Sequence, residues 1–168
     1  MLVSKNHINP GKVISAGLVG TTFMTLFSYL VSEMQKENFK EPELLGKMLN
    51  RLIPQFNSKT SQVAGWNIHY TVGLLFAVFY AQLWEKRKRK PTLKSGILLG
   101  GLSGILAFVV WRYTFKFHPV PPKIHFRKYY GHLLVTHIVF GAFASIGYNL
   151  IHSRRLSPYP QNRSLDTE

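Results

Sequence analysis

The chain has 168 residues, no cysteine and a formal net charge of +14, from 21 basic and 7 acidic side chains. Without cysteine there can be no disulfide, thiolate metal site or cysteine nucleophile. In a soluble chain so much positive charge would point to nucleic acid. Here no nucleic-acid motif accompanies it, and most of it flanks long uncharged runs, which argues against a soluble protein and for lipid headgroups as the partner.

Four runs lack Asp, Glu, Lys and Arg: 13–32, 63–84, 95–111 and 129–151. Each is close to the roughly 20 residues that an α-helix needs to cross a bilayer core. The expected fold is therefore all-α, a polytopic membrane protein with four transmembrane helices over 13–153.

Residues 1–12 form a polar lead with Lys5 and Lys12, and Asn9-Pro10-Gly11 starts helix 1. The first run is longer than a signal-peptide core and no small-x-small cleavage site follows it, so a retained helix is expected. Its small residues Ala16, Gly20 and Thr21, continued by Met24 and Ser28, have the spacing that lets membrane helices approach closely. In the connection that follows, Glu41-Pro42-Glu43 has the form of a helix start. Leu44, Leu45, Met48, Leu49, Leu52 and Ile53 then recur at helical spacing, opposite Lys47, Asn50 and Arg51. A short interfacial helix near 43–53 is expected, ended by Pro54. Ser58 or Ser61 is a candidate cap for helix 2.

After helix 2 come Lys86, Arg87, Lys88, Arg89 and Lys90, a strong cytoplasmic marker and a candidate headgroup contact. With four helices, both termini then lie inside, in a cytoplasmic (inner) membrane. Helix 3 carries Gly96, Gly100 and Gly104, a groove for a neighbouring helix, with Gly101 and Ser103 beside it. It ends in Trp111, Arg112 and Tyr113, an aromatic belt with a snorkelling arginine. Residues 114–128 are expected as an ordered loop on the membrane surface. Helix 4 leads to Arg154, Arg155 and a disordered tail over 154–168.

The chain carries an internal likeness. His69-x3-Gly73-x6-Tyr80 on helix 2 returns as His137-x3-Gly141-x6-Tyr148 on helix 4, 68 residues later. Leu18-Val19-Gly20-Thr21 matches Leu98-Leu99-Gly100-Gly101 at an offset of 80. Two repeated helical hairpins, about 11–85 and 92–153, account for both. Two helices per unit make the repeats parallel, so His69 and His137 fall at one depth. Positions i, i+4 and i+11 share one helix face. The stripes His69, Gly73, Tyr80 and His137, Gly141, Tyr148 are therefore expected to line the bundle interior, where polar groups avoid lipid.

Several roles are open for these histidines. They can lock helix packing through hydrogen bonds. They can pass protons or a small solute, with Tyr80 and Tyr148 as relays. As a metal or cofactor site, His69 and His137 can supply opposed ligands to a b-type haem. A surface metal site of His118, His125 and His132 is a further option. No G-x-S-x-G, H-E-x-x-H, P-loop or dinucleotide pattern is present. The apolar runs contain no acid, which speaks against a carboxylate-based pump.

The stretch Gly17-Leu18-Val19-Gly20-Thr21-Thr22-Phe23-Met24-Thr25, with His69-x3-Gly73-x6-Tyr80, resembles small bacterial inner-membrane proteins of the YagU-like kind over 11–153. The resemblance implies a four-helix protein, a link to acid tolerance and no catalytic residues. The basic loop 86–90 and residues 114–128 fall outside it. The expected function is thus non-enzymatic: proton or small-solute passage through a His/Gly/Tyr-lined interior, with no cofactor. The alternative is a haem- or metal-binding or accessory subunit of a membrane complex. Partners are the anionic bilayer and either complex partners or further copies of the chain, not nucleic acid.

Overall fold

Each uncharged run becomes a long helix in the computed structural model, and a short fifth helix joins the first two. The structure describes residues 8–87 and 90–151. Lys5, Lys88, Arg89, Arg154, Arg155 and the tail expected over 154–168 lie outside the described residues. The elements are α1 (Pro10–Gln35), α2 (Glu41–Leu52), α3 (Ser58–Lys86), α4 (Leu93–Phe117) and α5 (Phe126–Leu150). All but α2 are long and apolar enough to cross a membrane. Their outward faces carry Leu18, Leu26, Leu30, Leu75, Phe79, Leu98, Leu102 and Val135, all exposed, as lipid contact requires.

The helices outrun the apolar stretches because nothing breaks them where the charge begins. α4 continues through Arg112 to Phe117, and α5 starts at Phe126. The loop expected over 114–128 therefore shrinks to 118–125, where Pro119, Pro121 and Pro122 forbid a helix. α1 begins at Pro10, inside the expected polar lead, under an Asn9 cap that accepts from the Lys12 N–H at 3.3 Å. α3 begins at Ser58, but neither serine caps it. Asn57 does, accepting from the Thr60 N–H at 2.8 Å, while Ser61 is buried within the first turn.

Packing follows the small residues. α1 lies between α3 and α5, and α5 lies between α1 and α4. On the α1–α5 seam, a Cβ at Gly20 would stand 2.9 Å from the Phe140 ring and one at Gly147 2.7 Å from the Ser15 carbonyl. On α1–α3, Gly17 receives Leu74 and Gly73 receives the Thr21 hydroxyl. On α4–α5, Gly96 and Gly100 meet Gly141, and Gly104 meets Leu134. α2 packs on α3, where Gly65 lies against the Pro42 carbonyl and Gly46.

The row α3–α1–α5–α4 is curled, so its outer helices face each other without a packed seam of their own among the described residues. Near the α3–α4 connection they are pinned together. The Tyr80 hydroxyl donates to Ser103 Oγ at 2.7 Å, and Ser103 donates to the Gly100 carbonyl. Tyr80→Phe and Ser103→Ala are each expected to lower stability by about 1 kcal/mol. Together they should lose little more than either alone, since they remove one shared bond, which a double-mutant cycle in detergent reads directly.

At the far end α2 crosses the gap. His118 Nε2 donates to the Met48 carbonyl at 3.1 Å, and Arg51 donates to the Val120 and Pro121 carbonyls, both at 3.1 Å. Two apolar clusters result. One, near the basic loop, holds Val13, Ala77, Tyr80, Trp84, Phe140 and Tyr148. The other, under α2, holds Phe39, Leu44, Met48, Phe115, Tyr129 and Leu133.

Candidate functional site

Between the two clusters lies a cleft of about 310 Å³. α1 and α5 supply its floor with Thr21, Met24, His137 and Phe140. α3 forms one wall with Ile68, His69, Val72, Gly73 and Phe76. α4 forms the other with Leu106, Ala107, Val110, Trp111 and Thr114. α2 adds Glu41 and Leu45 at one end. Thus His69, Gly73 and His137 come together in one cavity. Tyr80, Gly141 and Tyr148 do not line it. All six are buried. Tyr80 is held by Ser103, Gly141 packs against α4, and the Tyr148 hydroxyl donates to Glu85 Oε1 at 2.6 Å.

The hydrogen bonds around the two rings assign their protons. The Thr25 hydroxyl has one hydrogen and gives it to the Thr21 carbonyl at 2.7 Å. At its 2.9 Å contact with His69 Nε2, Thr25 must therefore accept. As a neutral ring, His69 then carries a bare Nδ1. His137 Nδ1 donates to the Leu133 carbonyl at 2.8 Å, which leaves its Nε2 bare. Beside them the Thr21 hydroxyl oxygen is buried without a partner. The cleft thus presents two bare imidazole nitrogens as acceptors, beside a Thr21 hydroxyl that can accept or donate.

Glu41 is the residue that sequence reasoning missed. Its sequence context marks it only as a helix-start acid, yet it is 2 % exposed and lines the cleft. The cause is a tight reversal after α1. Lys36 adopts a left-handed conformation (φ 54°), the chain turns back, and the Phe39 N–H reaches Ser32 Oγ at 3.0 Å. That places Glu41 beside Ser28, whose hydroxyl donates to Glu41 Oε1 at 3.1 Å. His132 Nε2 then donates to Ser28 Oγ at 3.0 Å and stands 3.8 Å from the carboxyl. Glu41 Oε2 has no hydrogen-bond partner. The Thr136 hydroxyl gives its own proton to the Leu133 carbonyl at 3.0 Å. Burial pushes the Glu41 carboxyl up to about 7, against 4.5 for a free one.

Ser28, His132 and Glu41 are the residue types of a hydrolytic triad, but their polarity is reversed. A nucleophilic serine gives its proton to histidine. Here Ser28 gives it to the carboxylate and accepts from histidine, and it is fully buried.

The other candidates fall apart spatially. His118 bonds Met48, His125 lies 3.5 Å from Glu37, and His132 bonds Ser28. Among the described residues no three His, Cys, Asp or Glu side chains are grouped to hold a metal. Of the basic loop, Lys86, Arg87 and Lys90 are described, and all three are exposed. Gly20, Gly96, Gly100 and Gly104 serve the helix seams. No protein-family profile, curated protein or solved structure matches the chain.

Proposed function

We propose that the chain is a non-enzymatic, multi-pass protein of the cytoplasmic (inner) membrane that takes a small, mainly apolar solute into the cleft between α3 and α4. The observation that carries this reading is the cleft itself: about 310 Å³, walled by two helices with no seam between them and lined by two imidazoles. A guest dissolved in the bilayer enters sideways and meets polar groups only at depth. Passage of protons through a His–Tyr relay has less support, because Tyr80 and Tyr148 are tied elsewhere.

The same proposal places the basic loop and both termini inside, with Lys86, Arg87 and Lys90 at anionic headgroups, and α2 in the opposite interface. It also takes the chain as two repeated hairpins. In support, Thr21 sits on Gly73 as Gly100 sits on Gly141, and Thr25 meets His69 as Gly104 meets His137. These pairs relate α1 to α4 by 79 residues (100−21, 104−25), one fewer than the offset of 80 in the sequence match of 18–21 with 98–101, and α3 to α5 by 68 (141−73, 137−69), the same as in the sequence match. Kinship with YagU-like proteins, and a role in acid tolerance, rest on the helix 1 and helix 2 patterns alone.

The test is saturable binding of neopentylbenzene, a neutral aryl probe, to the full chain in detergent, corrected for uptake by empty micelles. Ala107→Phe fills the cleft from the α4 wall. It is expected to remove the saturable component, a loss of about tenfold or more in affinity, without changing elution on size exclusion. Binding unaffected by the added ring would refute the cleft as the site.

A second reading has one observation in its favour: both imidazoles line the cleft with a bare nitrogen. His69 and His137 can then hold a haem or a metal. A Soret band after expression with haem supplied would establish it, and its absence would remove the haem form.

A further inference from the structure

The cleft's charge inventory is lopsided. Among the described residues that line it there is one carboxyl, Glu41, and no lysine or arginine. Most polar groups among its lining residues can accept, namely Glu41, Thr21, Thr114, His69 and His137, while the Trp111 indole N–H can only donate. Phe76, Trp111 and Phe140 present aromatic rings. A buried carboxylate without a counter-charge is unfavourable, so either a proton or a cation must accompany it. Aromatic faces attract cations, organic ammonium groups in particular. We infer that the cleft's occupant is a small lipophilic monocation, an organic ammonium with an aryl or branched apolar body, which exchanges with a proton on Glu41. The inference rests on the cleft being a binding site and names its ligand class.

The surroundings of Glu41 supply no competing fixed positive charge. From α1, Ser28 donates to it. From α5, His132 stands 3.8 Å away, bonded to Ser28, and Tyr129 and Thr136 lie beside the carboxyl. His69 on α3 and His137 on α5 line the same cavity, and α4 adds no titratable group to the lining. The neighbouring Lys40 is turned to Glu33 at 3.0 Å, and Glu43 accepts from Tyr29 at 3.1 Å. The exchange balances. The protonated carboxyl releases one H⁺, the ammonium takes its place, and the net charge of the site is unchanged. Burial holds the carboxyl proton up to about pH 7, so near neutrality proton and cation compete for the same carboxylate.

The test compares benzyltrimethylammonium with neopentylbenzene, which has the same shape and no charge, on the full-length protein in detergent. Wild type should bind the cation with release of about half a proton per cation at pH 7, rising toward one near pH 6, in weak buffer. Its affinity should fall about tenfold per pH unit below the carboxyl's titration, while affinity for the neutral probe stays level. Glu41→Gln should weaken the cation by about tenfold or more and spare the neutral probe, whose binding also reports an intact fold. If the neutral probe binds and the cation does not, or if cation binding ignores pH and Glu41→Gln, the ligand class is wrong and the cleft reading survives. If neither probe binds wild type, both fall. Should Glu41→Gln fail to fold, proton release and the wild-type pH profile still decide.

Discussion

Gly141→Val is expected to abolish stable folding, while Gly101→Val, on the facing helix, leaves the protein as it was. Both glycines lie in apolar helices of similar composition, so composition cannot separate them. Their surroundings do. A Cβ at Gly141 would collide with the Gly96 carbonyl and stand 2.8 Å from both Gly100 N and Cα. A Cβ at Gly101 or Gly131 would meet nothing within 4 Å. Overpacking against side chains costs about 1–3 kcal/mol because they can shift. At Gly141 the neighbours are backbone, so relief requires moving α4 off α5. That would dismantle the contacts of Gly96, Gly100 and Gly104 at once. Melting followed by circular dichroism in detergent should show a fall of roughly 10 °C or more for Gly141→Val, or no monodisperse protein. For Gly101→Val and Gly131→Val it should show a change within about 1 kcal/mol. Equal melting temperatures across the three variants would contradict the α4–α5 seam.

That contrast marks what a sequence can reveal about such a fold. The four spans were legible because a bilayer imposes a minimum length on uncharged stretches, and nothing else in the chain imitates it. The groove of Gly96, Gly100 and Gly104 was legible because close helix approach demands small residues every four positions. The stripe was only partly legible. His69, Gly73 and Tyr80 share a face of α3, but a helix face has neighbours on either side. At Tyr80 the neighbour is Ser103 of α4, at Gly73 it is Thr21 of α1, and only His69 and Gly73 reach the cleft. Glu41 was illegible for a different reason. It lies outside every apolar run, and its burial depends on the reversal at Lys36 that folds the α1–α2 connection back over Ser28. No local period encodes such a turn. The lack of acids within the runs was a correct observation, but it gave no warning that an acid from a connecting segment returns to the interior.

Burial of Glu41 has a measurable consequence independent of any ligand: the chain should lose stability as pH rises from 5 to 8, and Glu41→Gln should remove that loss. A free carboxyl releases its proton near 4.5, whereas the folded protein holds this one up to about 7. Between those values the folded state binds more protons than the unfolded state, so its stability falls as pH rises. The stabilisation is fully present below about pH 4.5 and gone above about pH 7. Across pH 5–8 the loss is roughly 2–3 kcal/mol. The amide of Glu41→Gln keeps an oxygen for the Ser28 hydroxyl but cannot ionise, so its profile lacks this component. Subtracting the two melting profiles cancels the titrating groups common to both. His132, 3.8 Å from the carboxyl, does not cancel fully. The comparison should therefore be repeated with His132→Gln in both backgrounds, where the difference between Glu41 and its amide should persist. Parallel profiles from pH 5 to 8 would mean that Glu41 is ionised throughout, and a site already charged at pH 5 would have no proton to exchange near neutrality. A wild-type profile that falls by roughly 2–3 kcal/mol relative to that of Glu41→Gln between pH 5 and 8, whatever their offset at pH 5, would locate the proton on the carboxyl that closes the cleft beneath α2.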